Sequence, residues 1–344
     1  MARLKRAVLW AVLIAIILLT GLSIYGAFIG ARRAQAFFTS VPLAAYWFAS
    51  VVMLAAGIVL FRRLLHVPSL LLMHAGCILV VLGMMWGSRG GHALQKQLFG
   101  VEKIPMGSMA IHEQMQDNLL SDGEGRSLGK LPFTVQLNAF RIEYYEPGTL
   151  YIWSRDGRNW RMPAVAGQAL SLDEDLGVLT ITRVFENFRI DLQGDEPVVY
   201  DEPGGSNPAL QVTIEKPGAK PGRRYVFERR PGHMSDNDLL AMAYRRNEKE
   251  YVSELEIVDN DQVVASKDIE VNHPLYYGGY HLYQQSWGED EFGVYSTIMV
   301  VSDSGLTSIY GGYVLLAGGV FWHFWGRRAL DRLKTRNAAG EESR

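Results

Sequence analysis

The sequence predicts a membrane protein of four transmembrane α-helices, with a large β-rich extracytoplasmic domain inserted between helices 3 and 4. Three observations predict this. Residues 1–88 contain no Asp or Glu, whereas all 36 acidic residues lie between Glu102 and Glu342. Four apolar windows approach the roughly 20 residues that a helix needs to cross a bilayer. Between residues 131 and 303 apolar and polar side chains alternate with a period of two, as they do in strands with one buried face.

The first three helices are expected within residues 1–88, at about 7–29, 43–60 and 68–87. The basic start MARLKR resembles that of a signal peptide. The apolar run behind it is too long, however, and no small-residue cleavage pattern precedes a polar start, so it reads as an anchor. The fourth helix is expected at 305–327, followed by a basic tail at 328–344. Orientation follows from Lys and Arg beside the spans. Arg3, Lys5 and Arg6, then Arg62 and Arg63, then Arg327, Arg328, Arg332, Lys334 and Arg336 all fall on one side of a four-span chain. Only Arg32 and Arg33 oppose them. Both termini are therefore expected in the cytoplasm and the large domain outside it.

Residues 89–304 hold 21 Lys plus Arg against 33 Asp plus Glu, a formal charge of −12. That argues against nucleic-acid binding, which needs a basic patch. The single cysteine, Cys77, lies in the third apolar window, so a thiol–disulfide exchange role is excluded. No C-x-x-C-H motif is present, so the chain is not itself a c-type cytochrome. Residues 89–130 are Gly-rich and weakly periodic and are expected to be a connector. The β-rich domain is expected at 131–304, with strands at 133–145, 178–191, 210–215, 225–229, 251–258, 262–271, 280–286 and 294–301. Turn chemistry divides them: EPG at 146–148, RDG at 155–157, EPGG at 202–205, KPGAKPG at 216–222 and YGG at 277–279. This pattern suggests a sandwich or a partly closed barrel. One amphipathic helix is expected at about 236–248, with Ser235 or Asp236 as its N-cap.

Two stretches carry a resemblance. One is LPFTVQL, Leu131 to Leu137, running through Phe140 into RIEYY, Arg141 to Tyr145. The other is VNHPLYYGGYHLYQQSWG, Val271 to Gly288. Both are similar to motifs of the ResB (CcsB) family, and the order of three helices, outer domain and last helix agrees, so the resemblance covers nearly the whole chain. It implies a component of c-type cytochrome biogenesis in the bacterial inner membrane. Such a component works beside a CcsA/ResC-like membrane protein and helps move haem b, held transiently, to the outer face, where it is joined to apocytochrome c. The tryptophan-rich signature of that partner is absent, so a haem-presenting loop must come from another polypeptide.

Individual residues follow from these expectations. His74 lies inside the third apolar window, where an ionisable side chain is costly and marks a functional candidate. ResB-like proteins carry a histidine at the matching place, which implies axial haem ligation; the competing reading is a helix–helix hydrogen bond beside Ala75 and Gly76. His323 lies at a depth similar to that of His74, so the two imidazoles share a haem if their helices touch. Its Phe321–Trp325 surroundings favour the reading as an interfacial aromatic belt with a polar tip. Asn272, Pro274, Gly279, Tyr280, Tyr283 and Gln284 carry the second motif, as fold determinants or as a partner surface. His273 and His281 lie in the same segment, while His66, His92, His112 and His233 show no metal-ligand spacing. Ser108 lies near the membrane as signal-peptidase serines do, but no lysine is identified for it, and no catalytic residue is assigned. The alternative function is an envelope scaffold or sensor whose outer domain binds another protein without handling haem.

Overall fold

A computed structural model describes residues 2–193, 196–216, 218–228 and 239–326. The expected basic tail, Arg327 and the expected cap residues Ser235 and Asp236 lie outside these residues. Six helices precede the strands: α1 (Ala2–Ile29), α2 (Ala31–Phe38), α3 (Val41–Leu60), α4 (Arg62–His66), α5 (Pro68–Gly87) and α6 (Arg89–Phe99). After the strands comes α7 (Leu306–Phe321), which passes into a π-helical turn at Trp322–Gly326. Among the described residues, three helices are long and apolar enough to cross a membrane, at Arg3–Ile29, Val41–Leu60 and Pro68–Gly87. Prolines stand in the first turns of α3 and α5, where the missing N–H leaves no bond unmade.

The strands are β1 (Met106–His112), β2 (Met115–Ser121), β3 (Ser127–Ser154), β4 (Asn159–Pro163), β5 (Ala169–Ser171), β6 (Val178–Phe185), β7 (Phe188–Gln193) and β8 (Glu196–Asp201). They continue with β9 (Ala209–Glu215), β10 (Gly222–Phe227), β11 (Leu240–Asp259), β12 (Gln262–Ile269), β13 (Leu275–Tyr277), β14 (Tyr280–Asp290) and β15 (Gly293–Ser302). The chain divides into two compact units, and the long strands β3 and β11 contribute residues to both.

The first unit holds Met1–Asn138 and Glu254–Arg344. Its sheet runs β12-β11-β3-β2-β1-β15-β14-β13, and β12 also approaches β13 and β14, so the sheet curls toward closure. Alternation fills the inside: Met109 and Ile111 from β1, Phe133, Val135 and Leu137 from β3, Leu282 from β14, and Ile298 and Val300 from β15 form one buried cluster. Each such side chain contributes about 1.5–3 kcal/mol on burial. A slip of one residue would expose the whole row, so this pattern sets the register. The second unit, Ala139–Ser253, has its own core on β3, β4, β6, β9, β10 and β11, including Leu150, Ile152, Leu179, Ile181, Val212 and Met242. Its four-stranded sheet is ordered β10-β9-β6-β5, with β7 and β8 as a separate ribbon.

Three expectations are corrected. The Gly-rich connector at 89–130 is instead α6 followed by β1 and β2, which pair near the middle of the large sheet. The glycines that suggested a linker include Gly91 and Gly107, which admit close backbone approach: a β-carbon at Gly91 would lie 2.2 Å from the Trp86 carbonyl oxygen. The expected helix at 236–248 is strand β11 from Leu240 onward. Its Ala, Met, Arg, Lys and Glu residues favour helix locally, but Leu240, Met242 and Tyr244 are buried in the core of the second unit, and tertiary burial overrides propensity. The expected turn at 146–148 lies inside β3. The segment expected as the fourth span is helical, α-helical to Phe321 and π-helical over Trp322–Gly326.

Helices α5 and α7 pack through a seam of small residues. A β-carbon at Gly76 would lie 2.7 Å from the Gly312 carbonyl oxygen, and one at Gly83 2.7 Å from that of Gly305. One at Gly319 would lie 2.9 Å from the carbonyl oxygen of Ser69. The seam recurs every seven residues on both helices, at 76 and 83 and at 305, 312 and 319. Backbone-to-backbone approach of this kind drives helix association where no hydrophobic effect operates between helices.

Candidate functional site in the membrane helices and the motif hairpin

His74 is half-buried in α5, and its Nδ1 lies 2.8 Å from the Leu70 carbonyl oxygen, one turn earlier. A carbonyl only accepts, so Nδ1 carries a proton, and in the neutral imidazole the lone pair is then on Nε2. No described group shares a hydrogen bond with that Nε2. The seam toward α7 is defined by Ser69, Met73, Gly76, Val80 and Gly83. At 100° per residue His74 projects about 140° away from Ser69 and so faces away from α7.

His323 behaves differently. Its Nδ1 lies 3.1 Å from the hydroxyl oxygen of Ser69, which is buried on the α7-facing side of α5. Its ring meets that of Phe324 edge-on, with centroids 5.3 Å apart. The two helices touch, so that condition is met, yet the imidazoles lie on different sides of α5, and the structure does not bring them together.

The second motif folds into the β13–β14 hairpin. Leu275, Tyr276 and Tyr277 pair with Leu282, His281 and Tyr280 across a two-residue turn. Gly278 and Gly279 hold that turn with φ of 58° and 79°, left-handed values that favour glycine. Close approach adds a second constraint, because a β-carbon at Gly279 would fall 2.0 Å from Lys103 Nζ. Tyr280 is buried, and its hydroxyl accepts the Ile104 N–H at 3.1 Å. Gln284 is also buried, donating to the Ser286 carbonyl at 2.9 Å and accepting from the Ser296 hydroxyl at 2.9 Å. Gly279, Tyr280 and Gln284 thus serve the fold. Asn272 is exposed, Pro274 and Tyr283 are partly so, and Tyr283 lies on the outer face of β14 with His281. There the His281 ring stacks on Tyr283 at 6.1 Å and meets Tyr276 at 5.0 Å. His273 instead pairs with Glu270.

The hairpin turn is tied to the start of α7. Asp303 donates its N–H to the Gly279 carbonyl at 3.0 Å, its carboxylate accepts from Lys103 Nζ at 2.9 Å, and Tyr276 donates to its other oxygen at 2.9 Å. Partial burial works against the Asp303 carboxylate, but Lys103 and Tyr276 outweigh it and hold its carboxyl below the ordinary value of 3.8. A depressed carboxyl adds stability above the ordinary value, and that stability is lost as pH falls through the folded-state value. Acidification from pH 5 to 3 is therefore expected to destabilise the wild type by about 0.5–1 kcal/mol more than Asp303→Asn, read from unfolding midpoints in detergent. Equal slopes for the two proteins would refute it.

A polar cluster that no motif announces lies beside this junction. His92, buried in α6, hydrogen-bonds through Nδ1 to the Ser88 carbonyl oxygen at 2.9 Å and through Nε2 to the Ser302 hydroxyl at 3.0 Å. Ser304 donates its hydroxyl to Gln95 Oε1 at 3.1 Å, and Gln95 donates to the Trp86 carbonyl at 2.8 Å. Its only sequence signal is polarity at 92 and 95 on one face of a short helix. In the second unit the first motif has its own partners: Arg246 lies 3.9 Å over the Tyr144 ring and pairs with Glu228 at 2.8 Å, and Lys249 pairs with Glu143 at 2.8 Å.

Three helices able to span a bilayer, a β-rich domain that follows them and a hairpin anchored at the entry to the last helix define a membrane protein with a large non-membrane domain. The family model described as the ResB-like family matches residues 64–169 and 223–305, more than half of the chain. This protein belongs to the ResB-like family. The unmatched stretch between those segments holds β6 to β9 of the second unit. A stretch of 79 residues, 23% of this chain, is 39% identical to Protein NrfI of Wolinella succinogenes and corresponds to 8% of that protein. The matched part is thus a small fraction of this relative.

Proposed function

We propose that this chain is a non-catalytic haem-transfer and assembly subunit in c-type cytochrome maturation, acting with a CcsA/ResC-like membrane protein on apocytochrome c. Membership of the ResB-like family supports the pathway. The observation that carries the haem reading is the His74 imidazole. It is an imidazole in an apolar helix, its Nδ1 directed to the Leu70 carbonyl, and its Nε2 shares a hydrogen bond with no described group. That donor is what an axial position on haem iron requires. Haem is the cargo, and the second ligand comes from the partner, because His323 is engaged with Ser69 and lies on another side of α5. His323 is assigned to helix packing in this reading.

In the same proposal α7 and its π-helical turn form the fourth span. Together they make 21 residues from Leu306 to Gly326, about 31 Å at 1.5 Å per residue, which matches the hydrocarbon thickness. Both termini then lie in the cytoplasm and the β-rich domain faces outward at the bacterial inner membrane, in keeping with Arg3, Lys5, Arg6, Arg62 and Arg63. The exposed hairpin face with Tyr276, His281 and Tyr283, together with Asn272 and Pro274, is the surface offered to the partner or to apocytochrome. The test is reconstitution in a host lacking its own maturation system, with a CcsA/ResC-like protein and a reporter apocytochrome. Haem-stained cytochrome is expected only when this chain is present. Equal yield without it would sink the proposal in favour of a scaffold or sensor.

A further inference from the structure

We propose that α6 is an interfacial helix lying on the bilayer surface at the C-terminal end of α5, with Leu94 and Leu98 among the lipid acyl chains. The inference rests on α5 as a membrane span and is independent of the haem reading.

A helix continuing along the α5 axis would carry Phe99 about 20 Å beyond Trp86, thirteen residues at 1.5 Å each. Instead the Phe99 and Trp86 rings are 6.2 Å apart, and Gln95 reaches the Trp86 carbonyl at 2.8 Å. The chain turns sharply at Ser88, whose hydroxyl caps the new helix by accepting the Gly91 N–H at 3.1 Å. Helix α6 therefore lies across the end of α5, level with its last turn. A tryptophan there is the usual marker of the membrane–water boundary.

Gly91, His92 and Gln95 are buried, and the polar cluster with Ser302 and Ser304 consumes their hydrogen-bonding groups. Leu94 and Leu98 share a neighbouring face and are 43% and 61% exposed, with Phe99 at 65% and Val101 at 43% just beyond. Lys96 lies about 160° around the helix from both leucines and pairs with Glu102. A large apolar side chain left open on one face, a charged residue opposite and a buried third face suit a helix at the acyl–headgroup boundary rather than one in water. Continuity with α5, whose last turn carries Trp86 at the membrane–water boundary, identifies the bilayer as the occupant.

Held this way, α6 is a float that sets the height of the β-rich unit above the membrane, and its buried face fixes that height to β15 and the start of α7. The test uses full-length protein in liposomes, with Cys77→Ala as background and a nitroxide label at Leu94→Cys, Leu98→Cys or Lys96→Cys in turn. Collision with oxygen, which concentrates in lipid, is compared with collision with a water-soluble nickel complex. Labels at 94 and 98 are expected to favour oxygen over nickel several-fold more than the label at 96. A label at 98 as open to nickel as that at 96 would mean a water-exposed helix. Labels at 94 and 98 closed to both reagents would mean a protein partner on that face, and either result overturns the proposal.

Discussion

On the proposed reading, a complex with a CcsA/ResC-like protein is expected to show a haem absorbance band with the wild-type chain and to lose it with the His74→Ala variant. Removing the imidazole removes the nitrogen donor that α5 offers at that depth, and the flanking Met73 and Ala75 supply no nitrogen in its place. A sharper form uses His74→Gly, which leaves room for free imidazole. Added imidazole is expected to restore the band, because the Leu70 carbonyl remains to orient a ring. His323→Ala is the matched control. It leaves Ser69 without its partner but is expected to keep the band, since His323 points to the α5–α7 contact. A full-strength band in His74→Ala would refute axial ligation by this residue. Loss of the band in His323→Ala alone would transfer the site to α7.

Gly312→Leu is expected to be a severely damaging change in the seam between α5 and α7. A β-carbon at Gly312 would already lie 2.6 Å from Val80 and 2.8 Å from the Gly76 carbonyl oxygen, so the larger part of a leucine has nowhere to go. The obstacle is partly backbone, which a rotamer change cannot relieve, and the helices must separate along the whole seam. The cost is put at about 3 kcal/mol or more, at the upper end of overpacking penalties. Gly318→Leu supplies the comparison on the same helix, because nothing lies within 4 Å of a β-carbon there. Unfolding midpoints in detergent are expected to fall by many degrees for Gly312→Leu and to stay near wild type for Gly318→Leu. Equal midpoints would mean that the seam contributes little.

Membrane and β-rich populations were legible because each rests on a signal carried by every residue. Acid-free stretches of about twenty apolar residues admit few structures in lipid, since the backbone must satisfy its own hydrogen bonds there. Period-two alternation between residues 131 and 303 likewise has one simple solution. The reading weakened where local propensity and tertiary burial disagree. Residues 240–248 contain strong helix formers, yet Leu240, Met242 and Tyr244 find their core across neighbouring strands, and β11 results. The glycines of the expected connector looked like flexibility. At Gly91 and Gly107 they permit close packing instead, and only the neighbours reveal which use a glycine serves.

The motif hairpin shows the same division within a single site. Gly278-Gly279 already announced a tight turn, and alternation placed Tyr280 and Gln284 on one face with Tyr283 on the other. What that turn touches was not readable. Lys103 and Asp303 come from segments about 175 residues before it and 25 after it, and no local pattern links them. His74 could be singled out from its position in an apolar run. Its direction away from α7 needed the helix packing. The sequence by itself therefore determined which segments are long and apolar enough to cross a membrane, that a β-rich domain follows the first three of them, and which residues belong to the ResB-like motifs, because hydrophobic period and charge act locally along the chain. Only the tertiary structure decided that α6 lies across α5, that glycines seal α5 to α7, and that His74 and His323 face apart. Those outcomes depend on contacts between residues far apart in sequence, which local periodicity does not encode.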